Sequence, residues 1–444
     1  MGGALFLGLV AMYNANGREI GGSDSQPTKF GARALALRGN LRLDDDILTQ
    51  PLLAERASFA RDLRGRYRSA YSPVGSVFGG VTAVGLRALG ADLDAPRGPN
   101  LIAVLTASTL TAVAVCLVFL TLVPITSRAV ALMVAIGLGL GTNFWALHSQ
   151  TMAQHDVVAF GLALALFNWT RPTPALRARH LWIGALGLAF AVTARMQTAP
   201  LVGLMGLGVL VRVGWRRAAG PLALAAGLLA VLLAAQWRWF GHLLGAIPLL
   251  EQLHPDVHAV SGSLSREPWV GAAGLLVSPS RGLFVYSPVV LIALFGIMPA
   301  LRARRDCGLG WALLGALALY AGYSLYTVWW GGHSYGPRYL LDFVVVLAVP
   351  AGVALEGVLR GRLARAACAV ALAWSMIAAG TGAFFANTWN TSPASVDRNH
   401  ARLWEWHDPQ ILRAWQSGLS PQNFNLFNWT VWRTTALDQV TPRD

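Results

Sequence analysis

Residues 100–123, NLIAVLTASTLTAVAVCLVFLTLV, form a continuous apolar stretch without a charged side chain. A bilayer core about 30 Å thick is crossed by roughly 20 residues of α-helix, so this stretch is long enough to span a membrane. Similar stretches recur along a chain of 444 residues that is 55% hydrophobic and only 13% charged. Ordinary globular domains carry about 25% charged residues. The sequence therefore predicts an all-α polytopic membrane protein, because helices satisfy their own backbone hydrogen bonds in lipid.

An apolar first helix and ten further stretches predict about eleven spans in total. The ten stretches are residues 100–123, 129–147, 156–170, 181–195, 198–213, 219–240, 283–300, 309–328, 339–357 and 366–386. The apolar stretch 73–90 contains Arg87 and has polar flanks. The residues alone leave it open whether this stretch spans the membrane or lies at its surface.

Arginine is concentrated in short loops between these stretches, which explains a net charge of +14 without invoking nucleic acid. These arginines are Arg171, Arg177, Arg179, Arg212, Arg216, Arg217, Arg302, Arg304, Arg305, Arg360, Arg362 and Arg365. By the positive-inside rule their loops face the cytoplasm. Alternation then places the loops 148–156 and 329–339 outside.

The same alternation divides the chain into a transmembrane domain, 1–386, and an outer tail, 387–444. Alternation also places the longer loop 242–282 outside, whereas the segment 14–99 is an outer loop only if 73–90 does not span the membrane. Apolar residues recur among charges within 30–66, which predicts amphipathic juxtamembrane helices, although an ordinary soluble loop is an alternative.

Polar residues gather in the loops assigned to the outside. Asp24 follows the first helix, and its carboxylate is placed to act as a general base or, alternatively, to cap a helix or turn. His155 and Asp156 open a span and predict sugar binding or a divalent cation, although capping explains Asp156 equally. His254, Asp256 and His258 alternate in EQLHPDVH and resemble part of a zinc site without a fourth ligand.

Arginines beside spans are costly unless they have partners, so Arg195, Arg281 and Arg338 are candidate phosphate ligands. Arg338 lies in WWGGHSYGPRYLLDF, residues 329–343, together with aromatic residues and glycines that let a ligand approach the backbone. An aromatic belt with snorkelling arginines is the alternative. Further candidate substrate-binding residues are Lys29, Tyr71, His333, Tyr335 and Tyr339.

The sequence resembles the GT-C membrane glycosyltransferases, especially the bacterial relatives of protein mannosyltransferase and aminoarabinose transferase. The likeness rests on GGSDSQPTKF (21–30), YSPVGSVF (71–78), HSQTMAQHD (148–156) and the pair SPSRGLFVYSPVVL and WWGGHSYGPRYLLDF. It covers residues 1 to about 386 and favours an interfacial helix at 73–90. Some relatives carry two adjacent acidic residues in the first loop, whereas Asp24 stands between Ser23 and Ser25.

The resemblance implies a polyprenyl-phosphate sugar as donor, with Asp24 as the base and Arg338, with Arg195 or Arg281, on the donor phosphate. The expected reaction is inverting transfer to a hydroxyl of a glycan, lipid or protein on the periplasmic face of a bacterial plasma membrane. No cofactor is required, and a divalent metal stays open.

Two other classes of function are compatible with the composition. A transporter or lipid flippase predicts ionisable residues near mid-membrane and inverted repeats, and the stretches are mostly devoid of such residues. A non-catalytic scaffold would use the tryptophan-rich tail to dock a partner. The tryptophans of this tail are Trp389, Trp404, Trp406, Trp415, Trp429 and Trp432.

Overall fold

The computed structural model describes residues 1–248, 264–304 and 307–427, and these are mostly helical. The α-helices are α1 (Gly2–Asn14), α2 (Gln26–Arg38), α3 (Asp44–Thr49), α4 (Val74–Ala88), α5 (Gly98–Leu122), α6 (Arg128–Leu140), α7 (His155–Trp169), α8 (Ala178–Ala194), α9 (Ala199–Val213), α10 (Trp215–Phe240), α11 (Pro268–Val277), α12 (Leu283–Tyr286), α13 (Leu291–Ala303), α14 (Leu309–Ser324), α15 (Leu341–Val358), α16 (Arg362–Phe384) and α17 (Gln410–Ser417). Residues 249–263, 305–306 and 428–444 lie outside the described part, and with them His254, Asp256, His258, Arg305, Trp429 and Trp432.

Five helical segments of the described chain are long and apolar enough to cross a membrane. They are α5, α10, α15, α16 and Met196–Val213, which contains α9. Shorter apolar helices, among them α1, α7, α8 and α14, accompany them. The chain thus has the helices of a membrane protein, and the number of about eleven spans stays a prediction.

The stretch 73–90 forms α4, a helix of 15 residues that packs against α2 and α5. Helix α7, which is also 15 residues long, is among the predicted spans. The position of α4 at the membrane surface therefore stays a prediction.

The segment 14–99 also contains a short β-hairpin that the all-α prediction misses. Strand β1 (Phe59–Arg61) pairs antiparallel with β2 (Tyr67–Ser69), with Phe59 opposite Ser69. The Asp62 carboxylate accepts a hydrogen bond from the backbone N–H of Arg66 at 3.0 Å, and Gly65 adopts a φ of +77°. These two residues close a tight turn, which is the local reason that the strands form.

Within 30–66 the predicted helices are present as α2 and α3, whereas the chain from residue 59 onward forms the hairpin. That these helices are amphipathic and lie at the membrane surface stays a prediction.

Helices α7 and α8 run antiparallel and pack closely in the centre of the bundle. A Cβ atom on Gly161 would overlap the carbonyl of Gly187, and one on Gly187 would overlap the carbonyl of Gly161. Small residues at such contacts let two helix backbones approach each other in a membrane. The pairing brings His155, at the start of α7, beside Arg195, directly after α8.

The opposite end of the bundle collects arginines from the loops predicted to be cytoplasmic. Arg212 donates to the carbonyl of Trp169 at 2.7 Å, and Arg304 donates to that of Thr170 at 3.0 Å. Both arginines therefore satisfy carbonyls at the C-terminus of α7, where a helix lacks internal donors.

The segment 387–427 folds back onto the bundle end that carries His155. The N–H of Phe424 donates to the carbonyl of Asn16, and that of Leu426 to Gly17, each at 2.7 Å. Trp389 is fully buried. The described part of the predicted tail is thus packed against the transmembrane domain.

Candidate functional site

Two residues far apart in sequence form an ion pair at this bundle end. Asp24 lies in the 3₁₀ turn Ser23–Ser25, and Arg338 lies in the loop before α15. Nη2 of Arg338 donates to Oδ2 of Asp24 at 2.8 Å, and the Tyr71 hydroxyl donates to Oδ1 at 3.1 Å. The structure therefore joins the first outer loop, the entry to α4 and the loop before α15 around one carboxylate.

A second ionic group lies directly beneath this pair. The Nδ1 of His155 contacts Oδ1 of Asp342 at 2.5 Å, and Nε of Arg195 lies 3.1 Å from Oδ2 of the same carboxylate. Asp342 is the second residue of α15 and is fully buried. A buried carboxylate of this kind needs charged or donating partners, and it has them here.

His155 connects the two groups and takes a defined tautomer. Its Nε2 lies 3.0 Å from Nε of Arg338 and 2.8 Å from Nη1 of Arg195. Both arginine nitrogens are obligate donors, so Nε2 must accept and Nδ1 must carry the proton that it donates to Asp342. The imidazole is therefore neutral, and it orients both guanidinium groups.

Tyrosines form one side of the site. The Tyr323 hydroxyl donates to Oδ2 of Asp342 at 2.6 Å, and the Tyr323 and Tyr339 rings stack with centroids 4.8 Å apart. The Arg195 guanidinium lies 5.6 Å from the Tyr323 centroid and 5.2 Å from that of Tyr339. These cation–π contacts hold a second positive charge in the site.

Exposure increases from the inner group to the outer pair. The Asp24 and Arg338 side chains are 34% and 20% exposed, whereas that of Arg195 is 8% exposed. Within the described residues, Nη1 of Arg338 and Nη2 of Arg195 have no hydrogen-bond acceptor. Two neighbouring guanidinium groups thus retain unused donors, and groups of this kind can bind a phosphate.

The outer pair holds the Asp24 carboxyl ionised. Burial raises the pKa of Asp24, but the Arg338 charge and the hydrogen bonds from Arg338 and Tyr71 outweigh it, so this pKa lies below its ordinary value. Burial and the Asp24 charge raise the pKa of the Tyr71 phenol well above its ordinary value. Tyr71 consequently remains a neutral donor to a charged carboxylate.

One group of residues has the spacing of metal ligands without the chemistry of a cation site. Ligand atoms of His148, His155 and Asp342 lie within 4.8 Å of one another. Both His155 nitrogens are already hydrogen-bonded, and the guanidinium groups of Arg195 and Arg338 would repel a dication. These residues do not fit a divalent metal, and we derive no chemistry through one.

No protein-family model matches the sequence, and no curated protein matches it.

Of the residues singled out in the sequence, Asp24, Tyr71, His155, Arg195, Arg338 and Tyr339 meet in this site. Asp156 is buried next to His155 but makes no described hydrogen bond or ion pair with the cluster. Lys29 lies elsewhere in the outer region, where its Nζ contacts Glu19 at 3.1 Å and Asn100 at 2.6 Å.

Three residues of the arginine- and aromatic-rich motifs also lie outside the site. Arg281 is only 1% exposed, and all five of its N–H donors are bound by protein oxygens, so it has none left for a ligand phosphate. The Tyr335 hydroxyl donates to the carbonyl of Ala378 at 2.8 Å. His333 is exposed and pairs with Asp397 at 2.8 Å.

Asp342 and Tyr323 are site residues that sequence reasoning missed. Asp342 stands near the start of the predicted span 339–357, where an ionisable residue is costly without a partner. The requirement for a partner was applied to Arg195 and not to Asp342. Applied to both, it would have suggested that these two residues pair. No sequence signal distinguishes Tyr323 from the other tyrosines at span ends.

Proposed function

We propose that the protein is a GT-C-type glycosyltransferase that moves a sugar from a polyprenyl-phosphate donor to an acceptor hydroxyl, with inversion at the anomeric carbon. The observation that carries the proposal is the partly exposed Asp24–Arg338 ion pair. Arg338 and Arg195 both donate to the neutral His155, which holds the two arginines together. A carboxylate lies here beside two cationic groups with unused donors. Transfer from a phosphate leaving group needs this combination of base and anion ligand.

In the proposed complex the donor phosphate binds between Arg338 and Arg195. Each guanidinium offers a planar pair of N–H groups that matches phosphate oxygens. His155 and Asp342 hold both groups in place before the substrate arrives, so little reorganisation accompanies the reaction.

Donor binding also changes the basicity of Asp24. The phosphate competes for Arg338, and Asp24 then loses part of the charge that lowers its pKa, whereas the effect of burial remains. Asp24 becomes a better proton acceptor when the donor is in place.

The proposed step conserves atoms and charge. The acceptor oxygen bonds to the anomeric carbon, and its proton passes to Asp24. The bond between the anomeric carbon and the phosphate oxygen breaks, and its electron pair stays on that oxygen. The arginines stabilise the polyprenyl phosphate that leaves.

An aromatic surface next to the site supports a lipid-linked donor. The Phe78, Phe160 and Phe190 rings contact one another with centroids 5.2 to 6.1 Å apart, and all three are only partly buried. Phe160 lies five residues after His155, which is about 7.5 Å along the helix axis. An isoprenoid chain attached to a phosphate at Arg338 would lie within reach of these rings.

The distribution of arginine supports the proposed side of the membrane. Arginines of the short loops meet at the bundle end opposite to the site, as Arg212 and Arg304 illustrate. The positive-inside rule then turns the site toward the periplasm of a bacterial plasma membrane.

The decisive experiment measures single-turnover transfer by the purified protein in liposomes. A panel of undecaprenyl-phosphate sugars carrying radiolabel is offered with glycan, lipid and protein acceptors. Asp24→Asn should lower transfer by about 10²- to 10⁴-fold, because the variant keeps the size of the side chain and loses the base. Arg338→Lys should weaken donor binding, because an ammonium cannot reproduce the two-point contact.

Asp45→Asn is the matched control, since Asp45 is an exposed carboxylate of the same outer loop paired with Arg38. Full transfer by Asp24→Asn would reject the proposed base. Movement of label across the bilayer without a new glycosidic bond would identify a flippase instead, and neither transfer nor movement would favour a scaffold.

A further inference from the structure

The loop 330–337 delivers Arg338 to the site, but its own backbone provides little to hold it. Gly331, Gly332 and Gly336 adopt φ values of +76°, +68° and +60°. Glycine is the residue that reaches this region without strain, and it leaves the chain conformationally free when unfolded. An irregular loop that must present one guanidinium accurately therefore needs support from other elements.

Arg281, in the turn between α11 and α12, provides part of this support. Its Nε donates to the carbonyl of Trp330 at 2.9 Å, and its Nη2 donates to that of Gly332 at 3.1 Å. Two bonds from one planar, buried guanidinium fix both the position and the direction of the loop backbone.

Two side chains of the segment 387–427 provide further support, in addition to Asn143, whose Nδ2 donates to the carbonyl of Tyr335 at 2.7 Å. Oε1 of Gln410 accepts from the N–H of Gly336 at 2.8 Å, and its Nε2 donates to the carbonyl of Ser334 at 3.0 Å. Nδ2 of Asn390 donates to the carbonyl of His333 at 3.0 Å.

The three supporting residues are also bonded to each other. Nη1 of Arg281 donates to Oε1 of Gln410, and Nη2 donates to Oδ1 of Asn390, both at 2.7 Å. All three are buried, so removal of one member leaves buried polar groups of the others unpaired.

We infer that Arg281, Asn390 and Gln410, together named the loop clasp, are positioning residues that hold Arg338 against Asp24. The segment 387–427 contributes two of them and is consequently required for the geometry of the site. The clasp touches neither Asp24 nor His155 and acts through the backbone of the loop.

The segment itself is anchored before it reaches the loop. The Trp389 ring contacts two guanidinium groups, with centroid distances of 5.1 Å to Arg281 and 4.5 Å to Arg402. Nη1 of Arg402 donates to the backbone carbonyl of Trp389 at 2.8 Å. Asn390 directly follows Trp389, so these contacts also fix the position of Asn390.

The first measurement is amide hydrogen–deuterium exchange of the purified protein in nanodiscs. Gln410→Met keeps the length of the side chain and removes both bonds to the loop, so exchange in 330–338 should rise by a factor of roughly 5 to 160, at about 0.5 to 1.5 kcal/mol per bond. Peptides from α5 and α7 should keep wild-type exchange. Gln422→Met is the matched control, because Gln422 is an exposed glutamine of the same segment.

The variant Gln410→Glu tests whether the effect of Gln410→Met is local to the loop or reflects a general loss of folding. Gln410→Glu retains the acceptor for Gly336 and Arg281. It loses one of the two bonds to the loop, the donor to Ser334, together with the donor to Asn387 outside the loop, so its loop exchange should fall between wild type and Gln410→Met. Unchanged loop exchange in Gln410→Met would overturn the inference. A rise throughout the protein in both variants would overturn it as well, because the residue would then support the whole fold.

The second measurement is binding of undecaprenyl phosphate, and this arm rests on the proposed function. If Arg338→Gln binds undecaprenyl phosphate more weakly than wild type, Gln410→Met should have an affinity about tenfold below wild type, and the loss in Gln410→Glu should be smaller. The loss is limited because the guanidinium is displaced and not removed. Equal affinity of Gln410→Met and wild type would overturn the positioning role. Absence of binding to the wild-type protein would count against the proposed function alone, and loop exchange would then decide the inference.

Discussion

At the scale of single residues, the site depends on which group faces which arginine. His155 accepts from both Arg195 and Arg338, and this is possible only because Asp342 holds the imidazole proton on the other ring nitrogen. Without the Asp342 carboxylate to accept this proton, the imidazole ring would be free to turn. Asp342, which lies beneath the residues that would contact a substrate, therefore determines how the charged groups above it are arranged.

The proposed competition for Arg338 predicts two different acid limits for transfer. In the free protein the pKa of Asp24 lies below its ordinary value, so kcat/KM should fall only when the pH drops below the ordinary aspartate range of about 3.9. In the donor complex Arg338 is engaged by phosphate and burial still raises the pKa of Asp24. The acid limit of kcat should therefore lie at a higher pH than that of kcat/KM.

Transfer rates measured from pH 3 to 8 at subsaturating and at saturating donor concentrations check this order, since the former report the free enzyme and the latter the complex. Coincident acid limits would show that the donor leaves the Asp24–Arg338 pair intact. In Arg338→Gln the limit of kcat/KM should move upward, because the charge that opposes burial is gone.

At the scale of elements, α7 and α8 determine the distance between His155 and Arg195. The contact of Gly161 with Gly187 allows the two backbones to lie close together. A larger residue at this contact would separate the ends of the helices and lengthen the His155–Arg195 contact.

Gly161→Ala should consequently destabilise the protein, although alanine favours a helix over glycine by about 1 kcal/mol. The added methyl overlaps the Gly187 carbonyl, and overpacking typically costs about 1 to 3 kcal/mol. Gly203→Ala, in α9, meets no atom within 4 Å and should be neutral or stabilising. Thermal unfolding in detergent compares the two, and equal shifts would argue against a close helix contact.

At the scale of the whole molecule, one end of the bundle carries the site and the other carries the arginines of the short loops. We predict that the site end is outside the cell. In a variant without native cysteines, Ser23→Cys should react with an impermeant maleimide on intact cells, and Arg216→Cys should react only after lysis. Both positions are exposed, so access to the reagent depends on the side of the membrane. Labelling of Arg216→Cys alone in intact cells would reverse the orientation.

The sequence by itself determined that the chain is a helical membrane protein, because apolar stretches near 20 residues long leave few other folds. It also identified Asp24, His155, Arg195 and Arg338, since ionisable residues beside spans stand out against an apolar background. The β-hairpin after residue 59 escaped because a three-residue strand carries too short a pattern to compete with a helical periodicity.

Only the tertiary structure decided which of these residues meet. Arg281 and Arg338 look alike in sequence, yet the first has all its donors bound within the protein, whereas Nη1 of the second has no acceptor among the described residues. The partners of Asp342 and the contribution of the segment 387–427 are equally decided by the tertiary structure. The physical reason is that hydrogen bonds join residues more than 100 positions apart, and their partners are chosen by helix packing and not by any local pattern.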